Sequence, residues 1–78
     1  MTPQEILNTL KAQPFRPFRI TMNSGRTFDI RHPEMVRLGK RDLLIFTFVS
    51  DSPEVYDRWE HVSLLLVESL APLETSIP

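Results

Sequence analysis

Phe18-Arg19-Ile20-Thr21-Met22-Asn23-Ser24-Gly25-Arg26-Thr27-Phe28-Asp29-Ile30-Arg31-His32-Pro33-Glu34 is the stretch that decides how this chain folds. Phe18, Ile20 and Met22 alternate with Arg19, Thr21 and Asn23, the period of a strand with one buried face. Asn23 to Arg26 reads as a hairpin turn, with Gly25 free to take a positive φ. Phe28 and Ile30 then alternate with Thr27, Asp29 and Arg31, so a second strand returns beside the first. Pro33 has no N–H to give a ladder, yet Val36 and Leu38 resume the alternation beyond it. The pattern predicts one long second strand, bent at Pro33.

Working outward, Thr2-Pro3-Gln4-Glu5 is a helix start: a capping threonine, a proline in the first turn and an acid at the third helical position. Ile6, Leu7 and Leu10 fall on one helical face, and Pro14 disfavours helical geometry at Gln13. A helix over residues 3–12 follows, too short to be stable unless its apolar stripe docks. Pro14-Phe15-Arg16-Pro17 is an extended connector. Downstream, Gly39 to Asp42 is a turn, and Leu43 to Val49 is apolar on both faces, as in a central or interface strand. Ser50 to Pro53 reads as a loop and Val55 to His61 as a fourth strand. Val62 to Val67 contains a short fifth, and residues 71–78 form a tail expected to fray.

One helix followed by five strands, the second sharply bent, is the order of small SH3-like and Sm-like barrels, and closure removes exposed sheet edges. The expected fold is therefore mainly β: an N-terminal helix, then a five-stranded, strongly bent antiparallel barrel over residues 18–70. An open antiparallel sheet with the helix across one face is the alternative.

Seventy-eight residues suffice for a single domain, which hides roughly 60–65% of the surface its unfolded chain exposes. There is no cysteine, hence no disulfide and no thiolate zinc site, and no cofactor is implied. Glu5 sits in the first turn and no apolar run nears the roughly 20 residues of a membrane span. The expectation is a soluble, cytoplasmic protein without a membrane partner. Apolar residues on both faces of Leu43–Val49 and Leu64–Val67 exceed what one small barrel covers, which predicts a homo-oligomer. The net charge of −1 is divided unevenly: residues 1–41 carry eight basic side chains against three acidic, and residues 42–78 one against seven. Either the surface is dipolar and pairs head to tail with a copy of itself, or the two halves intermix in space.

Chemistry finds little purchase. His32 and His61 each have a neighbouring acid, Glu34 and Glu60, but a metal site needs three or four converging ligands. No serine lies in a Gly-x-Ser-x-Gly elbow, and the carboxylate pairs Asp57/Glu60 and Asp51/Glu54 fall in or near exposed loops. Two glycines are too few for a phosphate-cradling loop. The expectation is no enzyme, with no catalytic and no metal-binding residues. Arg19 and Arg31 lie on the outward faces of the first two strands. With Phe15 they could hold single-stranded nucleic acid by phosphate contact and stacking. The plainer reading is a solvated face whose arginines pair with Asp29 and other acids.

Two resemblances add to this. Pro14-Phe15-Arg16-Pro17-Phe18-Arg19-Ile20, Gly25-Arg26-Thr27-Phe28, His32-Pro33-Glu34 and Leu64-Leu65-Leu66-Val67 resemble a family of small bacterial proteins of the PFRPF…GR.F…HPE…LLL type, which brings no known chemistry. Leu7-Asn8-Thr9-Leu10, Asn23-Ser24-Gly25 and Trp59-Glu60-His61-Val62-Ser63 resemble motifs of the Hfq family of bacterial Sm-like RNA chaperones. That likeness implies a ring of subunits joined by their last two strands, with Trp59 and His61 at the RNA site. Glu60 stands where that family has a cation. The function expected is a small non-catalytic binding module acting through self-assembly and partner recruitment, with a protein as the partner. The alternative is an Sm-like ring binding single-stranded RNA through Arg19, Arg31, Trp59 and His61.

Overall fold

The computed structural model describes residues 1–49 and 52–73. The chain starts with α1 (Pro3–Leu10), whose Thr2 cap and Glu5 form the reciprocal pair the sequence predicts. Thr2 Oγ1 accepts from the Glu5 N–H at 3.3 Å, and the Thr2 N–H donates to Glu5 Oε1 at 3.0 Å. Ile6 carries the docking, fully buried, with Leu10 packed partly against the core. The helix stops two residues short of Ala12, with Lys11 as its cap.

Six strands follow: β1 (Phe18–Met22), β2 (Thr27–Ile30), β3 (Val36–Leu38), β4 (Asp42–Val49), β5 (Ser52–Ser63) and β6 (Val67–Pro72). They form two three-stranded antiparallel sheets, ordered β2-β1-β6 and β3-β4-β5. The expected single five-stranded barrel is thereby corrected, because among the described residues no ladder joins the two sheets into a closed ring. The mainly β class and the N-terminal helix stand.

Local chemistry explains where the reading succeeded and where it failed. The β1–β2 turn forms as expected: Gly25 takes φ 98°, and the Met22 N–H donates to the Arg26 carbonyl at 2.8 Å. At Pro33 the second strand does not bend but breaks. β2 ends at Ile30, a 3-10 turn occupies Pro33–Met35, and β3 starts in the other sheet. A proline at the first position suits such a turn, since its missing N–H would be unpaired there anyway. Leu64–Leu66 is a second 3-10 turn, not a strand. Ser63 Oγ accepts from the Leu65 N–H at 3.2 Å, and this local bond competes with a sheet ladder. The last strand lies instead at Val67–Pro72 and pairs with β1 from Phe18↔Pro72 to Met22↔Val67. Residues 71 and 72 thus belong to a sheet and not to a tail; Ser50, Asp51 and 74–78 lie outside the described residues.

The core sits between the sheets and under α1. Ile6, Phe18, Ile20, Met22, Ile30, Val36, Leu43, Ile45, Leu64 and Val67 form one cluster. β1 lends the alternate residues Phe18, Ile20 and Met22, the side the 2.0 period predicts. β4 lends Leu43 and Ile45. Beyond Ile45 the β4–β5 pair runs on without core residues among those whose burial is described.

Candidate binding face

β4 is the central strand of its sheet, so its alternate residues point to opposite faces. Leu43 and Ile45 point inward. Leu44, Phe46 and Phe48 therefore point outward, and the register sets their neighbours: Arg37 and His61 flank Leu44, Trp59 faces Phe46 and Tyr56 faces Phe48. Directly opposed residues of an antiparallel pair share a face. The outer face of this sheet is thus a stripe of Leu44, Phe46, Phe48, Tyr56 and Trp59, with Arg37 and His61 at one end. Phe46 and Tyr56 meet edge to face, ring centroids 5.3 Å apart at 61°. Trp59 and Tyr56 remain 56% and 53% exposed, while Phe46 and Phe48 are half-buried beneath them.

One irregularity sets this alignment. Thr47 pairs with Arg58 and Phe48 with Tyr56, leaving Asp57 as an extra residue in β5. That is a β-bulge. Without it Tyr56 and Trp59, three apart, would lie on opposite faces.

Arg19 and Arg31 belong to a different place, Arg19 on β1 in the other sheet and Arg31 just past β2. Arg19 grips Asp29 with two bonds, Nε to Oδ1 at 2.7 Å and a second nitrogen to Oδ2 at 3.2 Å. Arg31 lies 3.9 Å from the same carboxylate. The hydrogen bond from Arg19 holds Asp29 below the usual carboxylate range, and Asp29 in turn raises the guanidinium. So Asp29 already takes up half the positive charge of this face. The structure brings Arg19 together with Arg31, and Trp59 onto one face with His61, but the two pairs occupy different sheets.

His61 and Glu60 also find partners inside the chain. His61 Nε2 lies 2.5 Å from Asp42 Oδ2. Glu60, opposite Ile45 on the inner side of β5, pairs with Arg26 from the β1–β2 turn, which holds its carboxyl below the ordinary value. Arg26 also lies over the Phe28 ring, 5.0 Å from the centroid. Glu60 therefore does not share a face with Trp59 and His61, and its charge is matched.

No family model, curated protein or solved structure matches this chain. Its chemistry rests on the residues alone. Among the described residues no group of three or more His, Asp or Glu side chains gathers as a metal site. Among the described residues an open, apolar surface groove of about 310 Å³ runs between the end of α1, Pro17 and β6. No described helix is long and apolar enough to cross a membrane. The sequence singles out Trp59 through a likeness and holds Phe46 and Phe48 within the two-sided run Leu43–Val49, but it does not join them to Trp59, and Tyr56 is not singled out. The available signal was the two-sided apolar pattern of Leu43–Val49, which asks what covers the outer side.

Proposed function

We propose that this protein is a small non-catalytic binding module that acts by self-assembly and partner recruitment, with the outer face of β4 and β5 as its contact surface. The observation that carries this reading is the aromatic stripe, with Trp59 and Tyr56 more than half exposed over Phe46 and Phe48. Buried aromatics dominate interface energetics, and tryptophan and tyrosine are enriched among interface anchors. An isolated two-stranded ribbon is also marginal in water, so the part of the hairpin beyond Ile45 gains most from being covered. The place of β1 between β2 and the last strand, β6, and the crossings at the two 3-10 turns support kinship with SH3-like and Sm-like folds, here with the ring left open among the described residues.

The test is the mass in solution of the whole chain across a dilution series, beside a Trp59→Ala/Tyr56→Ala variant. An oligomer that the variant weakens supports the reading; a wild-type monomer even at high micromolar concentration rejects self-assembly.

A second reading, binding of single-stranded RNA, draws on the same stripe, because bases stack on exposed aromatic rings. Arg37 on that face, without an ion pair among the described residues, would supply the phosphate contact. Uridine-rich RNA titrated at low and high salt checks it. Salt-sensitive binding lost with Trp59→Ala, and kept in Arg19→Ala/Arg31→Ala, would favour this face over the first sheet.

A further inference from the structure

β5 is the edge strand of its sheet, twelve residues long. An edge strand leaves the N–H and C=O groups that do not bond to its neighbour as a template for another strand. In β5 residues 60–63 lie beside the β1–β2 turn, and the stretch before them is the open part. Proteins blunt such edges with proline, lysine or brevity. β5 has no lysine, and its one proline, Pro53, stands at its second position. The centre of the strand, from Tyr56 to Trp59, holds neither proline nor lysine, and its charges, Asp57 and Arg58, are of opposite sign. The bulge at Asp57, a device that can turn an edge away from partners, here sits in the middle of the stretch.

That centre is self-complementary. We propose that β5 pairs edge to edge with β5 of a second copy, antiparallel about a two-fold axis, in the register that sets Tyr56 opposite Trp59 and Asp57 opposite Arg58 of the other chain. This rests on the self-assembly proposed above and names its geometry. Two-fold symmetry repeats each contact, giving two tyrosine–tryptophan pairs and two aspartate–arginine pairs around the axis.

The bulge makes this register available. A two-fold ladder needs facing residues to share a side of the sheet, which in a regular strand means an even separation. Tyr56 and Trp59 are three apart and would fail. The extra residue Asp57 restores agreement, because the β4 partners of Tyr56 and Trp59 are Phe48 and Phe46, two apart on one face. Pairing would thus join the two aromatic stripes into one continuous surface on a six-stranded sheet. Asp57 and Arg58 are both exposed and enter no ion pair among the described residues. Each would meet an opposite charge across the axis.

The experiment follows sedimentation of the full chain on dilution, together with the emission of Trp59, its only tryptophan. Three forms are compared: wild type, Arg58→Asp, and the exchange Asp57→Arg/Arg58→Asp. The single change sets acid against acid on both sides of the axis and is expected to raise the dimer dissociation constant about tenfold or more. The exchange restores opposite charges and is expected to bring it back to within a few-fold of wild type. A monomeric wild type overturns both this geometry and self-assembly itself. A dimer indifferent to Arg58→Asp overturns the edge pairing and leaves contact through the stripe. A ring of more than two subunits overturns the two-fold arrangement. So does a dimer lost in the single variant and not regained in the exchange, when both keep the wild-type circular dichroism.

Discussion

The two sheets use the same alternation of side chains and end up with opposite surfaces. In β2-β1-β6 the inward residues Phe18, Ile20, Met22 and Ile30 meet a core, and the outward Arg19 is matched by Asp29. Nothing apolar on the outer side of β1 is left over. In β3-β4-β5 the inward Leu43 and Ile45 meet the same core, but the outward Phe46 and Phe48 face Trp59 and Tyr56, themselves more than half exposed. The first sheet is finished within one chain; the second is finished on one side. The contrast teaches that alternation alone does not decide a strand's surface: what matters is whether the same chain supplies a layer for the second face, and that open face is the premise of the binding function proposed above.

The sharpest way to break the contrast is to remove a large side chain from each region. Ile20 is fully buried, and Ile20→Ala should cost about 2–5 kcal/mol from lost burial and cavity formation. Trp59→Ala removes a larger side chain and should lower the stability of the dilute monomer by less than about 1 kcal/mol, since exposed positions contribute little. Urea denaturation of both variants checks the difference. Equal losses would mean that the stripe is part of the folding core.

A smaller effect probes what ties the helix to the body. Thr2→Ala with Glu5→Ala removes both halves of the capping box and should cost about 1–2 kcal/mol. Thermal melting measures it. An unchanged midpoint would show that Ile6 alone holds α1 in place.

The smallest effect concerns the outer face of β1. Asp29 has its folded pKa lowered by Arg19, so the pair stabilises the native state above the usual aspartate value of about 3.9. That contribution disappears as the pH falls through the lower, folded value. Arg19 is exposed and Asp29 about one-third exposed, 47% and 34%, so solvent and salt screen the pair and the loss is slight. Asp29→Asn should flatten this part of the acid stability profile, and added salt should mimic the variant. A profile identical to wild type at low salt would show that the pair adds nothing.

Much of the fold was legible where one residue type has one local use. Thr2, Pro3 and Glu5 mark the helix start, Gly25 the turn, and Pro33 the interruption. The apolar run Leu64–Leu66 was not, because periodicity alone does not separate a short apolar strand from a helical turn. The deciding contact, Ser63 Oγ with the Leu65 N–H, depends on a rotamer that sequence does not specify. The last strand, Val67–Pro72, is therefore displaced from the expected one within Val62–Val67, and its end at Ala71 and Pro72 lies in the expected tail, since Pro72 looks like a loop residue until β1 is seen beside it. At the candidate site Trp59 and His61 were legible. Their real companions depend on the bulge at Asp57, and a single inserted residue leaves no mark in a pattern already broken by Pro53 and Glu54.

The pairing of β1 with β6 also has a consequence in time. It joins residues 18–22 to residues 67–72, whereas β1–β2 and β3–β4 are neighbours in sequence. Closing so wide a loop is slow and entropically costly before its contacts repay it. A chain emerging from the ribosome can form its hairpins early, but Leu64 and Val67 must arrive before the core is complete. Until they do, the inward faces of β1 and β4 lie open as well as the aromatic stripe, so the unfinished chain presents apolar surface on both sides of β4 and is for that interval prone to wrong contacts.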